Sequence, residues 1–275
     1  MEIYQALILG IIQGLTELLP VSSSAHLNVL PWILGWTNSK AFMIEFDGAF
    51  DVALHFGTLL AIGGFFFKDW LKLIKAGYKK LVKKEDSVDG RMFFYILLAT
   101  IPAGVLALIL DKISDSIIGD NFKLKMVLIA IALIVMGIIL AIVDKKSKNK
   151  IKYEKITFKQ AMMIGLSQAI AAAFPGVSRS GITMTVARKY QIDRASAAKF
   201  SFLLSTPIVA AAVLVDLGEF ALSSFSFWVG IISSFVVGLF VVKFLMNYLK
   251  KGSFKVFAIY RVILGLIILG VCLIK

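Results

Sequence analysis

The sequence predicts an all-α polytopic membrane protein with six transmembrane helices, two re-entrant helix hairpins and an inverted-topology repeat. Three observations predict it. The 275 residues are 59% apolar, with a mean hydropathy of +0.87, whereas soluble domains rarely exceed about half apolar residues. Long uncharged stretches recur: residues 126–143 carry no charge and twelve Leu, Ile or Val residues, a sum of about −4 to −7 kcal/mol on an insertion scale. Lys residues gather between those stretches rather than within them.

Six stretches are long enough to cross a bilayer, at about 50–67, 92–110, 124–143, 199–215, 226–242 and 256–274. Two others do not fit. The stretch 161–174 would reach only about 21 Å as a helix, short of a hydrocarbon core of about 30 Å. The stretch 3–19 is interrupted by Gln13, Thr16 and Glu17. Both end at a Pro followed by Ser residues, in "PVSSSAH" and "PGVSRSGIT". Such segments read as helices that enter the membrane, break and turn back.

Loop charge sets the orientation. Eight basic residues from Lys68 to Arg91, seven from Lys145 to Lys159, and Lys243, Lys250, Lys251 and Lys255 place three loops in the cytoplasm. The loops 111–123 and 216–225 are neutral or acidic and are expected outside, as are both termini. The net charge of +13 is thereby explained by anionic lipid, not by nucleic acid. Arg261 lies just over one turn inside its span and is expected to snorkel to the cytoplasm. Cys272, the only cysteine, is expected to be inert packing. The start, MEIYQ, lacks the basic region of a cleaved signal peptide.

Gly10, Gln13, Pro20 and Ser23 reappear 155 positions later as Gly165, Gln168, Pro175 and Ser178. Three spans separate the hairpins, so one enters from outside and the other from inside. This makes one integral membrane domain with repeat halves near 1–143 and 156–275. The interface of such repeats holds a site near the midplane.

The residues delivered to that interface suggest chemistry. In the second loop, Gly176 and Gly181 allow backbone amides to approach a ligand, Ser178, Ser180 and Thr183 donate hydrogen bonds, and Arg179 offers a planar fork for phosphate. The following helix starts at the same place. In the first loop, Ser23 and His26 suit a nucleophile and its base, while Glu17 suits a metal ligand or an orienting group. Simpler roles exist for each. Glu17 and Arg179 could be a structural salt bridge, His26 a satisfied polar residue, and Ser22 and Ser24 helix caps. Asp51 and His55, one turn apart, could face the cavity or the outer interface.

"GIIQGLTELLPVSSSAH" resembles the Glu/Gln-x-x-x-Glu motif and Ser-rich loop of undecaprenyl-diphosphate phosphatases of the BacA/UppP type. "FPGVSRSGIT" matches their Pro-Gly-x-Ser-Arg-Ser-x-x-Thr motif, and "FDVALHFGTLLA" and "FAIYR" also look like family segments. The resemblance covers nearly the whole chain. It implies a multi-pass plasma-membrane hydrolase that removes the terminal phosphate of undecaprenyl diphosphate, recycling the lipid carrier of peptidoglycan and other envelope polymers. In that family, loss of function sensitises cells to bacitracin. By motif, the resemblance implies roles for Gln13 and Glu17, for Ser23 and His26, and for Ser178, Arg179, Ser180 and Thr183, with Mg²⁺ or Ca²⁺ near Glu17. Many members have Glu where this chain has Gln13, which leaves Glu17 as the sole essential acid. His55 stands where many have Gln and takes no fixed role.

The expected mechanism has Glu17, Ser23, His26 and Arg179 as catalytic residues and Gln13, Gly176, Ser178, Ser180 and Thr183 as substrate-binding residues. The site opens to the outer side and the isoprenoid tail lies in a lipid-facing groove. The partners are a polyprenyl diphosphate lipid and the bilayer, with a homodimer among the open oligomeric states. The rival is a polyprenyl-phosphate flippase or transporter using the same cavity.

Overall fold

A computed structural model describes residues 1–39, 42, 46, 50–119, 121–220 and 225–274. These residues form eleven α-helices in chain order: α1 (Ile3–Thr16), α2 (Ser23–Ile33), α3 (Asp51–Phe65), α4 (Phe67–Val82), α5 (Val88–Ile118), α6 (Phe122–Lys146), α7 (Phe158–Ala173), α8 (Arg179–Lys189), α9 (Arg194–Phe220), α10 (Phe225–Tyr248) and α11 (Lys255–Ile274). α5, α6, α9, α10 and α11 are long and apolar enough to cross a membrane. The remaining expected span, 50–67, is the shorter α3, which bends by 74° into α4.

Helix ends agree with local chemistry. Asn121 caps α6 by accepting from the Leu124 amide at 2.9 Å, and Thr157 and Gln160 form a capping box at the start of α7. The expected outer loop 111–123 is shorter than its charge suggested, because α5 continues to Ile118. Likewise α9 continues to Phe220; the rest of the expected loop 216–225, residues 221–224, lies outside the described residues.

The segment expected as a basic cytoplasmic loop, from Lys68 onward, is instead mostly the helix α4. Phe67, Leu71, Ile74, Tyr78 and Leu81 form an exposed apolar stripe on it, with Lys68, Lys72, Lys75 and Lys79 one position round. That is the pattern of a helix lying in the membrane interface. Leu73 and Gly77 face inward, Gly77 against the Phe93 ring.

The two hairpins are α1–α2 and α7–α8. Their arms, 11 to 16 residues long, cover about 16–24 Å and fall short of the bilayer core. They are placed by matching partners: α1 packs on α10 and α7 packs on α5. Close approach requires glycine in both cases. A Cβ on Gly10 would lie 2.7 Å from the Gly230 carbonyl, and one on Gly165 would lie 2.6 Å from the Ala99 carbonyl. α6 and α11 run together and, with α2, enclose Val29, Met126, Leu133, Ile268 and the buried Cys272.

The pseudo-symmetry is broken beside the hairpins. α3 packs tightly on α10 through Phe50, Leu54, Phe227 and Ile231. The equivalent pair, α9 and α5, stands apart over a largely apolar groove of about 460 Å³ lined by Gly104, Ala107, Leu108, Ile208 and Ala211, with Asp111 at one end. Each wall of this groove begins just after a proline, Pro102 in α5 and Pro207 in α9, where a helix lacks one hydrogen bond and bends readily.

On the basic side, Asp144 gathers four elements. It accepts from Arg188 Nε at 2.7 Å, Arg194 Nε at 2.9 Å and the Phe254 amide at 3.2 Å. Arg188 is wholly buried, and the pair ties the ends of α6, α8, α9 and α11 together.

Candidate active site

Each hairpin breaks in the same way. Pro20 and Pro175 follow the first arms, and the chain then passes through a serine with positive φ, 76° at Ser22 and 71° at Ser178. Both serines cap the next helix, accepting from Ala25 N and Gly181 N. Each also meets the serine two residues on, Ser24 at 3.2 Å and Ser180 at 3.3 Å. The structure therefore aligns Ser22, not Ser23, with Ser178. The constant offset of 155 is corrected to 156 beyond the prolines, and Gly176 is the extra residue. Ser23 and Arg179 become counterparts, each the first residue of its helix.

Both helices start at one cavity of about 260 Å³ lined by Glu17, Ser23, His55, Gln168, Ser178 and Arg179, among others. First-turn amides have no intrahelical acceptor and carry the positive end of the helix dipole, so two anion-seeking helix starts face one space. Ser23 Oγ donates to Glu17 Oε2 at 2.5 Å, and Arg179 Nη2 donates to Glu17 Oε1 at 3.3 Å. The three side chains come together from two hairpins, as the sequence led one to expect. Ser180 fastens the contact by donating to the carbonyls of Glu17 or Leu19, each at 3.2 Å.

Other expected residues stand elsewhere. His26 does not meet Ser23: its Nδ1 lies 2.7 Å from the Ser22 carbonyl and its Nε2 lies 2.7 Å from the Tyr260 hydroxyl, with the two rings stacked. The α2 register turns it away from the cavity, so its two nitrogens are satisfied and the Ser23–His26 pair is not formed. Thr183 is buried in contact with Ser201 Oγ at 2.6 Å and lies outside the cavity lining. Gly176, at φ 97°, is required by the close approach of α6: a Cβ there would lie 2.7 Å from the Ile129 carbonyl. Its own amide faces Ser24 Oγ at 3.5 Å. Gln13 is fully buried behind Glu17, donating to Oε2 at 3.4 Å.

Four residues were missed or left unassigned by sequence. Arg261 does not snorkel. It is 0% exposed and clasps both loop tips, donating to the carbonyls of Pro20 (3.2 Å), Gly176 (3.0 Å) and Val177 (2.8 Å). Broken hairpins leave carbonyls unpaired at mid-membrane, and a buried guanidinium satisfies three of them. A lone Arg inside an apolar span was the signal. Tyr260, beside it, holds His26. His55 Nε2 lies 3.5 Å from Glu17 Oε2, and its Nδ1 is held by Asp51, 2.9 Å from the carbonyl and 3.7 Å from Oδ2. The Asp51–His55 spacing of one turn had shown that they share a face. Gln168 lines the cavity, although sequence marked it only as a repeat counterpart.

Glu17 is 11% exposed, and it is the carboxylate at the centre of the cavity. Its neighbours offer a hydroxyl, an amide and an imidazole. Among the described residues no three His, Cys, Asp or Glu side chains cluster as metal ligands. This donor set fits Mg²⁺ or Ca²⁺ only if substrate oxygens complete the shell, since such ions take six or more oxygen ligands.

The groove between α5 and α9 opens into this cavity, sharing Ala107, Ala172, Ile208 and Ala212 with it. A polar pocket thus heads an apolar channel. Residues 6–267 match the family described as bacitracin resistance protein BacA. The chain belongs to the BacA family. A protein of Caldicellulosiruptor bescii named undecaprenyl-diphosphatase is 42% identical, the match covering all of this chain and 99% of that protein. Proteins of the same name from Desulforudis audaxviator and Gemmatimonas aurantiaca are also 42% identical, over 100% and 98% of this chain and 100% and 97% of theirs. The segments around Glu17 and Arg179 meet at the head of the groove.

Proposed function

We propose that this chain hydrolyses undecaprenyl diphosphate to undecaprenyl phosphate and inorganic phosphate, with the cavity opening toward the outer side of the plasma membrane. The observation that carries this is the meeting of Glu17, Ser23 and Arg179 at the head of an apolar groove. The groove, about 460 Å³, matches the scale of ligand clefts, about 300–1,000 Å³, and the cavity adds a smaller polar head of about 260 Å³. The groove receives the isoprenoid tail from the outer half of the membrane, since its residues lie well past the cytoplasmic starts of α5 and α9.

Arg179, Ser178, Ser180 and the first amides of α2 and α8 hold the terminal phosphoryl group. Ser23 Oγ attacks phosphorus. Glu17, already its hydrogen-bond acceptor, takes the proton. A bond forms between Oγ and phosphorus, the bridging P–O bond breaks, and undecaprenyl phosphate leaves. Water then cleaves the phosphoserine, freeing phosphate and restoring Ser23. His55, backed by Asp51, orients the Glu17 carboxylate. His26 acts through the loop, fixing the start of α2 between Ser22 and Tyr260. A divalent cation held by Glu17 and the substrate would supply charge neutralisation on the phosphates.

The test is phosphate release from undecaprenyl diphosphate by purified protein in detergent micelles, with and without chelator. Micelles hold no second compartment, so transport cannot produce the signal. Arg179→Ala should abolish release. Full turnover by that variant would remove the anion site assigned here, and substantial turnover by Ser23→Ala would exclude the phosphoserine.

A further inference from the structure

Gln168 is 3% exposed, and neither its Oε1 nor its Nε2 has a hydrogen-bond partner among the described residues. A buried polar group left unpaired costs about 1–3 kcal/mol, and proteins leave few of them. Seven such atoms, on six residues, occur among the described residues, and of the six Gln168 alone lines the cavity. Gln168 lines the cavity that holds Glu17, Ser23 and Arg179. Its counterpart in the other hairpin, Gln13, is equally buried but commits its amide nitrogen to Glu17. The repeat therefore brings two amides to one centre: the nitrogen of Gln13 is engaged with the carboxylate, while both polar atoms of Gln168 are open.

Position along α7 says what the open amide meets. Ala172, one turn later on the same face, lines both the cavity and the apolar groove, whereas Gln168 lines the cavity alone. One turn is about 5–6 Å, so Gln168 stands on the far side of the cavity from the tail. A ligand whose chain lies in the groove presents its outermost phosphoryl group there. The side-chain amide offers two N–H donors to such an anion and a carbonyl to water.

Resting on the hydrolase reading above, we propose that Gln168 is a specificity residue: its Nε2 donates to a non-bridging oxygen of the terminal phosphoryl group. The monophosphate product lacks that group, so Gln168 distinguishes substrate from product and favours release of the latter.

The experiment compares wild type with Gln168→Leu and Gln168→Glu, each purified at full length. It measures KM for undecaprenyl diphosphate, the inhibition constant of undecaprenyl phosphate, and Tm with and without inorganic pyrophosphate. The Leu variant should raise KM about tenfold, the loss of one hydrogen bond, and leave product inhibition within about twofold. Its ligand-free Tm should equal or exceed that of wild type, because an unpaired buried amide has been replaced by an apolar group of similar size. Stabilisation by pyrophosphate should shrink. The Glu variant keeps the shape, turns donors into acceptors and should raise KM further than Leu. An unchanged KM in both variants, or a lowered Tm with substrate and product affinities falling in parallel, would overturn the assignment in favour of packing. A wild-type enzyme that releases no phosphate would overturn the hydrolase reading instead, and the pyrophosphate arm would still report on Gln168.

Discussion

Arg261→Lys separates a clasp from a snorkel. The guanidinium spans both hairpin tips through the carbonyls of Pro20, Gly176 and Val177, wholly out of solvent. Hydrogen bonds to a charged group contribute about 1.5–3 kcal/mol each. Lysine keeps the charge but gathers its donors on one nitrogen and cannot bridge carbonyls from two loops with a planar fork. Losing two of the three bonds would cost about 3–6 kcal/mol. At about 2–4 °C per kcal/mol for a chain of this order, Tm should fall by about 6–24 °C. The assay is thermal unfolding of both proteins in the same mild detergent, followed by intrinsic fluorescence. Phosphate release should fall as well, because the same side chain sets the distance between Ser23 and Arg179. An arginine reaching for the cytoplasmic headgroups would tolerate Lys, since an ammonium reaches water as well as a guanidinium does. A Tm within 2 °C of wild type would refute the clasp.

Two further outcomes follow from the same geometry. His26→Ala and Tyr260→Phe each remove the hydrogen bond between these residues and should each lower kcat, Tyr260→Phe about tenfold and His26→Ala at least as much because it also loses the Ser22 carbonyl; the double variant should be no worse than His26→Ala alone, and additive losses would show that Tyr260 acts independently of His26. Ala211→Trp fills the groove but not the polar cavity and should raise KM for undecaprenyl diphosphate by about tenfold or more, on overpacking of 1–3 kcal/mol. A short-chain, water-soluble diphosphate should be spared, and equal effects on both substrates would place the tail elsewhere.

The membrane architecture was legible in the sequence because lipid is an exacting solvent. Apolar length and the Pro–Ser breaks follow from a solvent without water in which every backbone group must be paired, and they marked both hairpins and the long spans; loop charge bears only on orientation. The meeting of Glu17, Ser23 and Arg179 followed from the inverted repeat. The amphipathic helix α4 is present in the spacing of Lys68, Lys72, Lys75 and Lys79, which by itself reads only as charge. Tertiary structure alone decided the rest. It placed the one-residue change of repeat register at Gly176, where α6 passes too close for a side chain. It turned His26 toward Tyr260, 234 positions away, carried Arg261 inward to carbonyls of both loops, and opened α5 from α9 while closing α3 on α10. Periodicity tells which face of a helix is buried. Which atoms that face meets depends on helices distant in the chain, and their angles and offsets are set by packing that no local pattern encodes.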